Sequence, residues 1–169
     1  MRLLRLINQE RVPIVIDTRE RMPYRFDSTF VEAIHCALPA GDYSLAGHEH
    51  EVAVERKSLA DFVKSVIHDR DRFEREIRRL GGYDAALVLV EADLRDVVEG
   101  RYRGHAHPNA VLGSAIALFV DHRVPFLFCS SREIAGRFAA GFLRRYHERV
   151  LGRIQEAGGQ VGVDGHDQK

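Results

Sequence analysis

Gly41-Asp42-Tyr43 and, further along, Val54-Glu55-Arg56-Lys57-Ser58-Leu59-Ala60-Asp61 carry the residue types that phosphodiester hydrolysis requires. Two carboxylates, Asp42 and Glu55, can hold a hard divalent cation through oxygen, and that cation offsets charge building on a phosphate. Lys57 close beside them can position the attacking water and balance excess negative charge. Arg19 and Arg56 suit a phosphate clamp, because a guanidinium grips an oxyanion through two hydrogen bonds. An Asp followed by Glu-x-Lys is common in soluble chains, so the elements that position these residues must carry part of the argument.

The run 12–16, Val-Pro-Ile-Val-Ile, is β-branched and ends in Asp17, which reads as a buried strand. A second strand is expected over 31–38. Asp42 then opens a hairpin, 42–45 against 51–55, turning through 46–50. Alternation along its second arm puts Glu55 and Lys57 on one face. Ser58 and Asp61 form a capping box for a helix with Phe62, Val63, Val66 and Ile67 on its apolar side. That box explains Asp61 as support for the helix start, where a carboxylate meets the backbone donors.

A further helix is expected over 72–80, stopped by Gly81-Gly82, and the run 85–91 is the clearest buried strand. Residues 100–109 read as a polar loop. A helix over 110–122 is expected to turn Leu112, Ile116, Phe119 and Val120 inward, and 125–129 forms a short strand. Ser130 and Glu133 are expected to cap a last helix whose inward stripe is Ile134, Phe138, Phe142, Tyr146 and Val150. Strands first, then strands alternating with helices, make a mixed sheet flanked by helices.

The chain has 169 residues, 45% hydrophobic and 30% charged, which suits one domain with a substantial core. No apolar run approaches the ~20 residues of a bilayer span, and the charged start 1–6 does not read as a signal peptide. Cys36 and Cys129 read as reduced thiols, so a cytoplasmic location is expected. Net charge is zero, with lysine only at Lys57, Lys64 and Lys169. Arginines cluster at 70–79 and 144–153, where acids interleave as on solvated helix faces. The pairs His48/His50 and His105/His107 lack the partners and spacing of a zinc site.

Three segments taken together, Ile16-Asp17-Thr18-Arg19-Glu20, Gly41-Asp42 and Glu55-Arg56-Lys57 with Asp61, resemble the nuclease domain of the XPF family of structure-specific endonucleases. Arg72-Phe73 and Arg79-Leu80 fit the same pattern. The resemblance covers 12–150 and implies a restriction-endonuclease-like α/β core. It divides the chain into a lead-in (1–11), a nuclease domain (12–155) and a Gly-rich tail (156–169) expected to be disordered.

The resemblance also implies a Mg²⁺- or Mn²⁺-dependent DNA endonuclease acting on branched or flap DNA in repair or recombination. Asp42 and Glu55 would be metal ligands, Glu20 a further ligand or water-holder, and Asp17 a supporting acid pairing with Arg19 or Arg56. DNA contacts are expected from Arg19, Arg56, Arg72, Arg75, Arg101 and Arg103, with Tyr102 placed to stack on an unpaired base. A homodimer formed by the C-terminal helices, or a partner supplying DNA binding, is implied because the tail does not resemble the helix-hairpin-helix module of better-known members. Two alternatives stay open: a non-cleaving scaffold subunit, and a restriction-type or nonspecific nuclease on the same fold.

Overall fold

The computed structural model describes residues 11–160, with side chains to residue 156; the expected lead-in, except Arg11, and positions 161–169 lie outside the described residues. Six strands form one mixed sheet: β1 (Val12–Asp17), β2 (Val31–Cys36), β3 (Tyr43–Leu45), β4 (Val52–Ser58), β5 (Ala85–Glu91) and β6 (Phe126–Phe128). Their order is β2-β1-β3-β4-β5-β6. The hairpin of β3 and β4 is antiparallel, as is the β1–β3 pair; the other neighbours are parallel. This is the mixed sheet that the sequence pattern predicts and the restriction-endonuclease-like α/β arrangement that the resemblance implies.

Helices α1 (Leu59–Ile67), α2 (Arg70–Leu80) and α4 (Pro108–His122) contribute to one apolar layer. Phe62, Phe73, Ile77, Leu80, Val111 and Leu118 pack there with Ala53 of β4 and Val88 and Val90 of β5. The opposite layer holds α5 (Arg132–Gln160), whose Ala135, Ala139, Leu143 and Tyr146 pack with Ile14, Tyr43, Val54 and Leu89. A short α3 (Leu94–Val98) follows β5 inside what reads as connecting chain. Among the described residues no helix is long and apolar enough to cross a membrane.

Two helices leave outside several large apolar residues that the sequence suggests are inside. On α4 the buried residues are Val111, Ser114, Ala115 and Leu118, whereas Ile116, Phe119 and Val120 are 53%, 49% and 68% exposed. On α5 Tyr146 is buried and Phe142 and Val150 pack against the core as expected, but Ile134 and Phe138 face solvent, and Ala135, Ala139 and Leu143 take the inward positions. Gly136 lies against Tyr24 of the loop after β1, and a Cβ there would come within 3.2 Å of that ring, so the close approach of α5 to this loop favours glycine. The cap of α5 is Ser131, whose Oγ accepts from the Ile134 amide; Ser130 instead adopts a positive φ and donates to Asp93. The helix runs on through Gln160, past the start of the expected tail.

Candidate active site

The site lies at the carboxyl ends of β1, β4 and β5, a usual ligand position on sheets with parallel strands. Gly41 makes it possible. Its φ is +75°, and a Cβ there would come within 3.1 Å of both the Ala53 side chain and the Val54 carbonyl. The chain therefore presses against β4 just before Asp42. The Asp42 amide donates to the Val54 carbonyl at 2.8 Å, and the Asp42 carbonyl accepts from the Asp17 amide at 2.9 Å. The Asp42 carboxylate in turn accepts the Arg56 amide on Oδ2 at 2.8 Å, and among the described residues no protein donor reaches Oδ1.

Alternation along β4 sends Glu55 and Lys57 toward α1 and α2, the side of Ala53, and Arg56 toward α5. Lys57 Nζ donates to Glu55 Oε1 at 2.6 Å, lies 3.9 Å from Glu76 Oε2 and sits 4.9 Å above the Phe73 ring. Glu76, from α2, had no signal in the sequence beyond a helix-face charge. Burial, with the Asp42 carboxylate close by, raises the Glu55 pKa well above the ordinary carboxylate range. Burial likewise lifts Asp42 to about 6, opposed by the Arg56 amide and aided by Glu20. Burial disfavours the Lys57 ammonium, but Glu55 and Glu76 outweigh it and raise that pKa, so Lys57 is a cation at neutral pH.

Arg56 is pinned on the other face. Its Nε and NH2 bond the two oxygens of Glu91 at 2.6 and 2.8 Å, and NH1 lies 3.4 Å from Glu20. Burial disfavours its charge, yet Glu91 outweighs that and leaves the pKa raised. Glu91 also meets Arg132 at 3.3 Å, and Arg132 donates to the Met22 and Pro23 carbonyls. Both guanidinium groups lie near the Tyr24 ring, which stacks on Tyr43. Glu91, Arg132 and Tyr24 are distant in sequence from Arg56, and only an acid ending the buried strand β5 could have hinted at this network.

Asp17 resolves in favour of Arg19. Its carboxylate accepts from Arg19 N, Nε and NH2 and from the Leu38 amide, all within 2.8 Å, which holds its pKa down at about 2. Glu20 Oε1 accepts the Met22 amide at 2.6 Å, so Glu20 is shared between its own turn and Arg56. Ser58 caps α1 by accepting the Asp61 amide, and the Asp61 carboxylate accepts the Ser58 hydroxyl rather than the Ser58 amide, so only one half of the expected box forms.

Arg19, Glu20, Asp42, Glu55, Arg56, Lys57 and Asp61 line one cleft of about 310 Å³, together with Arg21, Lys64, Ser65, Asp69 and Arg72, while Asp17 lies behind Arg19 and outside the lining. Arg75, Arg101 and Arg103 are not part of its lining. Arg101 is bound to Asp96 and Glu99, and Tyr102 packs on the core with its hydroxyl donating to Ala106, so Tyr102 is not a free stacking surface. His48 meets Glu51, and His107 accepts the Asn109 amide as the cap of α4. Among the described residues no three His, Cys, Asp or Glu side chains form a ready metal cage. Asp42 and Glu55 nonetheless suit a hard cation: they supply two carboxylates, with Asp42 Oδ1 free of protein donors, and each is raised in pKa by burial and by a neighbouring carboxylate.

A mixed α/β sheet with an Asp, Glu and Lys gathered at its strand ends defines a chain of the restriction-endonuclease-like class. The family model of the ERCC4 domain matches residues 16–142, and the chain belongs to that family as an XPF-type nuclease domain. It is 32% identical over 109 residues to the 3′-flap repair endonuclease Xpf of Saccharolobus solfataricus, covering 62% of this chain and 45% of the relative. It is 28% identical over 127 residues to a Methanocaldococcus jannaschii protein described as a candidate ATP-dependent RNA helicase, covering 75% of this chain and 15% of the relative. The chain thus spans less than half the length of these curated relatives. XPF from Aeropyrum pernix superposes with a TM-score of 0.63 at 26% identity, over 85% of this chain and 69% of that one. The same protein solved in complex with DNA gives 0.63 and 26%, over 82% and 66%.

The like-charged pair has a pH signature. A carboxyl whose folded pKa is raised to about 6 favours folding while protonated, and that contribution is lost as pH climbs from about 4 through 6. Asp42→Asn, which keeps an acceptor for the Arg56 amide, is expected to raise the metal-free melting temperature by a few degrees at pH 8 and not at pH 4. Scanning calorimetry of both proteins across that range checks it; a destabilised variant at pH 8 would contradict the repulsion.

Proposed function

We propose that this domain is a divalent-metal-dependent DNA endonuclease that cuts branched or flap DNA in repair or recombination. The observation that carries the reading is the Asp42, Glu55 and Lys57 constellation at the strand ends of an XPF-type domain. Relatives named as a 3′-flap repair endonuclease and as an XPF bound to DNA support it. Asp42 and Glu55 would hold Mg²⁺ or Mn²⁺, and the ion when bound supplies a Lewis acid for the phosphoryl oxygens. Hydrolysis adds water across one phosphorus–oxygen ester bond.

Lys57 stands beside this pair of acids, bonded to Glu55. It would hold the water or a phosphate oxygen in place and offset negative charge. Glu20 would assist as an outlying acid near Asp42. Arg56 would act mainly through its amide on Asp42 and through its grip on Glu91, while Arg19, whose Nε and NH2 are held by Asp17 but whose side chain is exposed, would meet a phosphate by charge and through NH1. Asp17 would support by holding Arg19, and Asp61 by anchoring the start of α1.

A dimer is part of the same reading. The fold leaves Ile134 and Phe138 of α5 exposed on one layer and, on the other, an apolar surface of α4 at Ile116, Phe119 and Val120. A second copy of the chain would cover it.

Cleavage of flap, fork, duplex and single-stranded DNA in Mg²⁺ and Mn²⁺ tests the activity. Branch-directed cutting is expected, falling by on the order of 10²-fold or more in Asp42→Ala. DNA bound but never cut would favour a non-cleaving subunit, and sequence-directed cutting a restriction-type enzyme. Sedimentation velocity tests the dimer: Phe119→Glu should shift the wild-type dimer to monomer, and a wild-type monomer at all concentrations would refute it.

A further inference from the structure

Charge in the cleft is sorted by depth. At the floor, the Glu20 and Glu55 side chains are 8% and 5% exposed. At the mouth the side chains that reach solvent are mostly cationic: Arg19, Lys64 and Arg72 are 71%, 64% and 73% exposed, and Arg21 stands out beside them. Asp61 is the exposed acid among them, and its carboxylate is engaged by the Ser58 hydroxyl.

The four cations form two pairs on different elements. Arg19 and Arg21 follow β1; Lys64 ends α1 and Arg72 begins α2. The acid pair comes from the segments between them in the fold, Asp42 ahead of β3 and Glu55 on β4. Each pair has a carboxylate behind it. Asp17 clamps Arg19, and Asp69 lies 3.5 Å from Lys64 and 3.6 Å from Arg72. Exposed pairs such as those of Asp69 are weak, so Lys64 and Arg72 can exchange that carboxylate for a phosphate at little cost. Four exposed cations of a chain with zero net charge thus stand around a buried acid centre.

We propose that the two lips bind the phosphates flanking the scissile one on the strand being cut, Arg19 and Arg21 on one side and Lys64 and Arg72 on the other. The inference rests on the nuclease reading and deepens it. Recognition is then by backbone charge, independent of base sequence. The strand must also continue on both sides of the cut, which favours internal over terminal phosphodiesters.

The test is fluorescence anisotropy of the full chain with flap DNA in Ca²⁺, measured across a salt series. The log–log slope is expected to fall by about 0.7–0.9 for each cation removed in Lys64→Gln/Arg72→Gln and in Arg19→Gln/Arg21→Gln. Arg145→Gln, a cation of α5 outside the cleft, should leave it unchanged. Arg21→Gln alone keeps the first lip testable if losing Arg19 disturbs the Asp17 clamp. A methylphosphonate beside the cut should weaken wild-type binding and have no added effect in the variant of the lip it faces. Unchanged slopes, or an equal methylphosphonate penalty in wild type and both variants, would overturn the proposal. Cleavage by wild type and Asp42→Ala in Mg²⁺, run in parallel, reports on the nuclease reading separately; DNA that is neither bound nor cut would overturn both.

Discussion

Two carboxylates that burial disfavours as anions are held side by side, and most of the site follows from that constraint. Asp42 cannot move away from Glu55, because its amide, carbonyl and carboxylate are tied to β4, β1 and the Arg56 amide respectively. Gly41 permits that contact, since any side chain there would push the strand back. Relief must come from positive charge. Lys57 supplies part of it, held by Glu55 and Glu76 over the Phe73 ring. The remainder is what a divalent cation would provide, and a half-buried Asp42 with one open carboxylate oxygen leaves room for it.

The three consecutive residues Glu55, Arg56 and Lys57 do two separate jobs because a strand alternates. Glu55 and Lys57 enter the cleft. Arg56 crosses to the α5 side and joins Glu91, Arg132 and Tyr24, the elements that hold the turn carrying Glu20. Breaking a buried ion pair of this kind costs far more than breaking an exposed one, since the remaining charge stays unpaired. The Arg56 network therefore secures the geometry of a site to which its guanidinium contributes little directly.

Local signals made much of this legible in the sequence. The β-branched run before Asp17, the Gly41-Asp42 turn, the alternation through Glu55 and Lys57, and the Ser58 cap each have a cause within a few residues, and each stands where expected. Glu76, Glu91 and Arg132 were missed because their partners lie far away in the chain and nothing nearby marks them. The exposure of Ile116, Phe119 and Val120 on α4 and of Ile134 and Phe138 on α5 departs from the sequence pattern for a different reason. Both helices carry more large apolar residues than they bury: Leu118 of α4 and Leu143 and Tyr146 of α5 are inside beside small ones, and size alone suggests burial for the rest. In this fold close packing on the sheet favours Ala115, Ala135 and Ala139, leaving Phe119 and Phe138 outside.

The central claim is that Asp42 and Glu55 together form a single divalent-cation site. Isothermal titration with Mn²⁺ at pH 6.5 in two buffers of different ionisation enthalpy tests it directly. One ion should bind per chain with net proton release, because metal must displace protons from carboxyls of raised pKa. Glu55→Gln should abolish that binding while the protein stays folded. Mn²⁺ binding that survives Glu55→Gln unchanged, or no binding to wild type, would contradict the account.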